Sequence, residues 1–339
     1  MQKTVSFTKN ATNVFFHILT RCNLSCRHCY INPNQHGTDT LPLKTIKRWL
    51  SAFAPKANHE ANLIFLGGEP TLHPDLAAAI TTAGQLKYTS ITVDTNGYLF
   101  NDILHKASSA QLDFFSFSLD GATAEVNDAL RGKGSFVRCC DGIKQALAKG
   151  FGVSVIFTVS AANLHSLEAM PALLNGLGVK QFFIQVLGLR GKSAQTEDEI
   201  GDSSCRQVTR EAWLKAVPAA AKAAADLGIS TTYPKVYLEN DEVFECAGEV
   251  AENFFLFPNG RVYRCPLCED FALHALAFDL KTDQLVARPP VTENDLFKLK
   301  IAEGCVMNKL IQPQNIAYTP AGQPTHQIAC CMLKQEVTP

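Results

Sequence analysis

The chain carries no surplus of either charge: 31 Lys and Arg stand against 32 Asp and Glu in 339 residues, for a formal net charge of -1. Capture of nucleic acid or an anionic surface by bulk electrostatics is thereby excluded. Long apolar runs are missing too. No stretch reaches the roughly 20 uncharged residues of a membrane-spanning helix, and the opening MQKTVSFTKNATNVFFHIL lacks the apolar core of a secretory signal. The expectation is a cytoplasmic protein with no nucleic-acid and no membrane partner. Internal repeats and low-complexity tracts are absent as well. What remains is an ordinary globular composition, 46% hydrophobic and 19% charged, long enough for one large domain or for a domain of about 200 residues followed by a smaller one.

Cysteine is the one residue in unusual supply. In a reducing compartment the 12 cysteines point to metal ligands, reactive thiols or packing rather than disulfides. Cys22, Cys26 and Cys29 lie near the start, and Cys246, Cys265, Cys268, Cys305, Cys330 and Cys331 in the last hundred residues. Cys139, Cys140 and Cys205, between them, read as small buried hydrophobes.

From residue 14 to about 190, short apolar runs alternate with longer amphipathic ones, the pattern of strand–helix units and a parallel sheet. The expected strands are Val14 to Leu19, Asn62 to Leu66, Ser90 to Thr95, Phe114 to Ser118, Val153 to Thr158 and Phe182 to Val186. Six such units suit an open arc of a barrel, a partial (β/α)6 TIM barrel, with chemistry at the C-terminal ends of the strands. An Ala-rich helix from about Arg206 to Leu227 follows, with a kink expected at Pro218. After it NFFLFPNGRVYRC reads as a hairpin turned at Pro258, Asn259 and Gly260, and the segments beyond are Pro-rich and irregular. The expected division is residues 1–235 and 236–339.

RCNLSCRHCY places three thiols within eight positions. Such a triplet can wrap one corner of a cubane iron–sulfur cluster and leave the fourth iron without a protein ligand; a zinc site would need His28 or a distant residue as fourth ligand. Each later strand end carries something a cluster-bound ligand could use. Gly67, Gly68, Glu69 and Pro70 follow the second strand, offering close backbone approach and a carboxylate acceptor for an ammonium group, or simply a tight turn. Thr95, Asn96 and Gly97 follow the third, and SFSLDG, Ser116 to Gly121, ends the fourth, with Arg131 beyond it. Asp120 reads as a cap of the next helix.

In that order CxxxCxxC, GGEP, TNG and SxSLDG with a trailing RGxGSF resemble the radical S-adenosylmethionine (radical SAM) enzymes over residues 14 to about 190. The resemblance implies a 4Fe-4S cluster on Cys22, Cys26 and Cys29 whose open iron chelates S-adenosylmethionine, cleaved reductively to a hydrogen-abstracting 5'-deoxyadenosyl radical. It further implies Gly67, Gly68 and Glu69 at the methionine amino group, with Asn96 among the cofactor contacts, and Ser118 and Arg131 at the carboxylate or ribose. Tyr30 and, more loosely, Gln185 to Leu187 would lie near the adenine. His28 becomes a loop residue.

The C-terminal Cys246-x13-Gly260-x4-Cys265 spacing resembles the opening of the SPASM and twitch extensions of the same enzymes, which implies an auxiliary cluster. Cys268, Cys305, Cys330 and Cys331 compete for the remaining places, and of the adjacent last pair one is expected to be spare. The full SPASM run of C-x2-C-x5-C-x3-C is missing, so one auxiliary 4Fe-4S cluster is expected; a zinc knuckle on Cys265 and Cys268 is the alternative.

The resemblance implies an oxidoreductase- or lyase-type enzyme acting on a peptide or protein, with a reducing partner such as flavodoxin or ferredoxin. Only thirteen residues precede the first expected strand, so recognition of a peptide is expected from the C-terminal region or a separate protein. A small-molecule dehydrogenation or rearrangement is the second reading, and a non-catalytic electron carrier the third. No cobalamin-binding motif and no paired methyl-accepting cysteines are seen, which argues against methyl transfer. Catalytic residues are not identified; Tyr233, Tyr237, Glu239 and Asp241 are polar candidates near residue 235.

Overall fold

The computed structural model describes residues 4–32, 36–194, 206–239, 241–269, 271, 273–288, 291–311 and 315–339. Cys205 lies outside them. The six expected strands are present as β1 (Ala11–His17), β2 (Glu60–Leu66), β3 (Ser90–Thr95), β4 (Phe114–Ser118), β5 (Gly152–Val159) and β6 (Gln181–Val186), paired in parallel in that order. A mixed α/β fold with a mostly parallel sheet results.

Strand alternation explains why the sheet curls around a polar interior. In β4, Phe115 and Phe117 are fully buried toward the helices while Ser116 and Ser118 line cavities within the arc. Likewise Phe16, Phe65, Val93, Phe157 and Ile184 belong to the apolar core, and their neighbours Phe15, Ile64, Asp94, Ile156 and Gln185 face the interior. The helix from Leu43 to Ala52 docks through Ile46, Trp49 and Leu50, that from Leu76 to Gln85 through Leu76, Ala79, Ile80 and Ala83, the spacing of one helical face.

Two further strands extend the arc. β7 (Ser230–Pro234) pairs in parallel with β6, after a helix from Arg210 to Asp226 that runs unbroken through Pro218. On the other side β9 (Glu252–Leu256) pairs in parallel with β1, Phe15 opposite Phe255 with their rings stacked at 4.3 Å. Among the described residues the six strands read from periodicity thus form the centre of a run of eight consecutive parallel strands. A buried amide ladder pins their register: Asn13 Nδ2 donates to Asn253 Oδ1 (2.9 Å), Asn62 Nδ2 to Asn13 Oδ1 (3.1 Å), and Ser90 Oγ to Asn62 Oδ1 (3.0 Å). A one-residue slip would turn these amides onto the apolar face.

The remaining C-terminal strands add antiparallel edges. β10 (Arg261–Tyr263) returns from β9 through the expected turn, where Gly260 has φ +82° and a Cβ would meet the Phe278 carbonyl at 2.7 Å. β11 (Leu276–Asp279) and β12 (Gln284–Ala287) follow outward, β14 (Lys334–Val337) closes the far edge against β7, and β8 (Tyr237–Leu238) pairs with β13 (Gln327–Ile328). The α-helix after β3 begins only at Ile103 and runs to Lys106, because Asn101 and Asp102 before it have positive φ. No helix among the described residues is long and apolar enough to cross a membrane.

Candidate functional site

The cysteine loop follows β1, clamped from two sides. Gly68 N–H donates to the Leu19 carbonyl (3.1 Å) and Glu69 N–H to the Arg21 carbonyl (3.0 Å). A Cβ at Gly67 would stand 2.3 Å from the Leu19 oxygen, and one at Gly68 2.2 Å from the Arg21 oxygen. The close approach these glycines permit is therefore to the chain's own cysteine loop. From the opposite side Lys192 N–H donates to the Cys29 carbonyl (2.9 Å), and Gly191 (φ +59°) fits where a Cβ would meet the Tyr30 oxygen at 2.5 Å. Sequence reading passed over Gly191; its signal is a second glycine in GLRG directly after a strand end.

Cys22, Cys26, Cys29, Tyr30, Gly67, Gly68, Glu69, Asn96, Ser118, Arg131 and Leu187 all line one cavity of about 340 Å³. The three thiols are free and partly exposed. Burial pushes the Cys22 thiol up to about 11 and raises Cys26, against which Arg131 pulls. Leu24 N–H donates to Cys22 Sγ at 3.4 Å.

Glu69 is fully buried. Its Oε1 accepts from Thr71 N–H (3.1 Å), Thr71 Oγ1 (2.6 Å) and Thr95 Oγ1 (2.9 Å), and its Oε2 from Asn96 N–H (2.7 Å). Burial raises its proton affinity while these donors oppose it. Oε1 is saturated, whereas Oε2 keeps capacity for one more donor. Asn96 Nδ2 donates to Asn23 Oδ1 at 2.8 Å and so ties the third strand end to the cysteine loop.

Asp120 is no helix cap: Thr123 caps the helix from Ala124 to Arg131. The Asp120 carboxylate is fully buried, 2.6 Å from Arg131 Nε and 3.0 Å from His28 Nε2, with Thr158 N–H donating at 2.7 Å. Arg131 and His28 hold it well below the usual carboxylate range against the opposing cost of burial. Arg131 is thus oriented at the cavity wall by Asp120. Ser118 lines the cavity, and its carbonyl accepts from Cys139 Sγ at 3.5 Å.

Tyr30 lies with its ring 4.3 Å from the Arg190 guanidinium and its hydroxyl 2.7 Å from His17 Nε2. Arg190 pairs with Glu269, which also meets His36 Nε2 at 3.1 Å. Phe257 stacks on both His17 and His36 at about 4 Å. This buried network joins the first cysteine loop to the residue after Cys268. Its parts are scattered over 250 positions, and nothing local in the sequence announced it.

Comparison with known proteins fits this geometry. Residues 16–174 match the family profile described as Radical SAM superfamily. The matched stretch, 159 of the 339 residues, is a radical SAM domain. It is 28% identical over 199 residues to the mycofactocin maturase MftC of Mycobacterium ulcerans, covering 58% of this chain and 52% of that one. It is 30% identical over 165 residues to a probable GTP 3',8-cyclase of Saccharolobus islandicus, covering 48% and 53%. The chain thus spans about half the length of these relatives. Among solved structures, Streptococcus suis SuiB bound to its precursor peptide SuiA matches 93% of this chain and 69% of that one at 15% identity and a TM-score of 0.57, a likeness of fold.

A 4Fe-4S cluster and a ligand bearing an ammonium and a carboxylate would fit these residues chemically. Three free thiols face one cavity, with a buried carboxylate oxygen of spare acceptor capacity and an oriented guanidinium on its walls.

The C-terminal thiols also gather. Cys246 precedes the short helix Ala247–Val250, Cys265 and Cys268 follow β10, Cys305 precedes the helix Val306–Ile311, and Cys330 and Cys331 follow β13. Cys246 hydrogen-bonds Cys330, and Cys265 hydrogen-bonds Cys268. Glu293 accepts from the backbone N–H groups of Arg264 (2.7 Å) and Cys265 (3.1 Å), fixing the hairpin base. Cys331 instead lines a second cavity inside the barrel. Among the described residues no three His, Cys, Asp or Glu side chains converge on a single-ion position. Cys139 and Cys140 are buried, as their packing reading expects, and Tyr237 packs edge-on to His326.

Proposed function

We propose that the chain is a radical SAM enzyme that modifies a peptide or protein. The observation that carries this reading is the single cavity lined by the three thiols, Glu69, Asn96, Ser118 and Arg131. In it Cys22, Cys26 and Cys29 would ligate a 4Fe-4S cluster, Glu69 Oε2 would accept from the methionine ammonium, and Arg131 and Ser118 would meet the carboxylate or ribose. Tyr30 and Leu187 would flank the adenine. Bound there, cluster and S-adenosylmethionine would supply a 5'-deoxyadenosyl radical by reductive cleavage, the electron coming from a flavodoxin- or ferredoxin-type donor. The chain's own part is to hold these groups and keep water from them.

The C-terminal region supports a second site. Four of Cys246, Cys265, Cys268, Cys305 and Cys330 would hold one auxiliary cluster, which makes residues 236–339 a SPASM/twitch-like unit in function even though its strands border the barrel sheet. The peptide reading draws on MftC, a maturase, and on the fold shared with SuiB, whose structure contains a precursor peptide. Small-molecule chemistry is the second reading, favoured by the similarity to a GTP 3',8-cyclase. Reconstituted enzyme under strong reductant should release 5'-deoxyadenosine, and coupled turnover should appear with a peptide encoded beside its gene. Coupling only to a metabolite would overturn the peptide reading; brown protein that releases none would overturn both in favour of an electron carrier.

A further inference from the structure

Two charges inside the barrel have no part in the cavity chemistry described above. Asp94 faces inward from β3, next to the core residue Val93. Lys334 opens β14, the strand beyond β7 at the edge of the arc. Both line the second cavity, about 220 Å³, walled by Phe15, Ile156, Phe183 and Met332. Each feels the other's charge across it.

Among the described residues the protein satisfies each group only in part. The Ser116 hydroxyl donates to Asp94, and Lys334 Nζ donates to Gln185 Oε1. An ammonium offers three donors and a carboxylate about four acceptor positions, so among the described residues both keep capacity directed at the cavity. Buried charge is retained against its desolvation cost where a partner completes it. Asp94 and Gln185 also line the thiol-bearing cavity, so a ligand held here abuts the reactive end of the barrel.

The lining selects the ligand's chemistry. One cation and one anion in an apolar chamber call for a ligand with one anionic group, one N–H donor and an apolar remainder. Among the described residues a polyphosphate finds no cluster of cations: the only other basic side chain on the wall is Arg190, already held by Glu269 and the Tyr30 ring. We propose that this cavity is the substrate site and takes the C-terminal residue of a peptide, its carboxylate on Lys334, its amide N–H on Asp94 and an apolar side chain against the phenylalanines. The inference rests on the peptide reading above and names the part of the peptide that enters.

The test uses N-acetyl-leucine and N-acetyl-leucinamide as probes, titrated by ligand-observed NMR into the full chain reconstituted with iron and sulfide. The acid should bind about tenfold more tightly than the amide, Lys334→Met should erase that preference, and Lys334→Arg should keep it. Equal affinities in wild type, binding of neither probe, or a preference that survives Lys334→Met in a protein of unchanged circular dichroism would each overturn the proposal. The wild-type comparison needs no variant to fold. Wild-type protein that releases no 5'-deoxyadenosine under dithionite fails the radical reading whatever the probes do. Release without acid preference fails this inference alone.

Discussion

Asp120 illustrates how a residue's role follows from its partners rather than its motif. Its fully buried carboxylate balances Arg131 and His28, so removing its charge strands a largely buried guanidinium. Breaking such a pair costs about 3–5 kcal/mol. Asp120→Asn should therefore lower unfolding stability by that order and weaken S-adenosylmethionine binding, read by urea denaturation and equilibrium dialysis. A loss under 1 kcal/mol would mean that Arg131 relaxes to another partner. Asp94 behaves oppositely: burial lifts it from 3.8 to about 7. A raised acid binds its proton more tightly when folded, so its contribution to stability is full below pH ~4 and declines until pH ~7. Asp94→Asn, neutral throughout, should gain on wild type between pH 5 and pH 8 by about 2 kcal/mol. An equal difference at both pH values would refute the raised affinity. Glu69, Asn96, Ser118 and Arg131 were legible in the sequence because each ends or follows a strand of obvious period. Asp94 was not marked, although a lone charge at an inward position of SITVDT is a readable signal once the strand's facing is fixed.

At the scale of elements, the six strands and the PNG hairpin could be read because each is bounded by local turn chemistry. The pairing of β9 beside β1 could not: a run such as NFFL looks the same against β10 alone as between two neighbours, and its partner lies 240 residues away. β14 was hidden for a different reason, since KQEV is polar where an edge strand meets water. The glycines after β2 were legible but for another purpose, docking strand end to cysteine loop. Gly68→Ala sets a methyl 2.2 Å from the Arg21 carbonyl, so loop or strand must move. The expected result is a loss of about 1–3 kcal/mol together with iron missing from the first site. Gly84→Ala is the control, because its Cβ meets nothing within 4 Å in the helix from Leu76 to Gln85 and should stabilise by about 0.5–1 kcal/mol. Equal iron in the two variants would show that the first loop does not depend on this contact.

Over the whole molecule the two thiol groups are fixed to one frame, because β9 and β14 border the same sheet whose strand ends carry the first site, and Arg190 spans from the Tyr30 ring to Glu269. The second group's membership can then be argued from facing. Cys330 and Cys331 are consecutive, yet Cys330 bonds Cys246 while Cys331 lines the barrel cavity. One of the pair is expected to be spare, and this divergence points to Cys331. Chains reconstituted anaerobically should hold about eight iron atoms, and the Cys22, Cys26 and Cys29 triple alanine variant about four. Cys330→Ala should fall toward four, whereas Cys331→Ala should keep about eight, since its residue lines the barrel cavity. Iron and sulfide assays on the four proteins decide the matter: retention in Cys330→Ala with loss in Cys331→Ala would reverse the assignment, and about four iron atoms in wild type would remove the second cluster altogether.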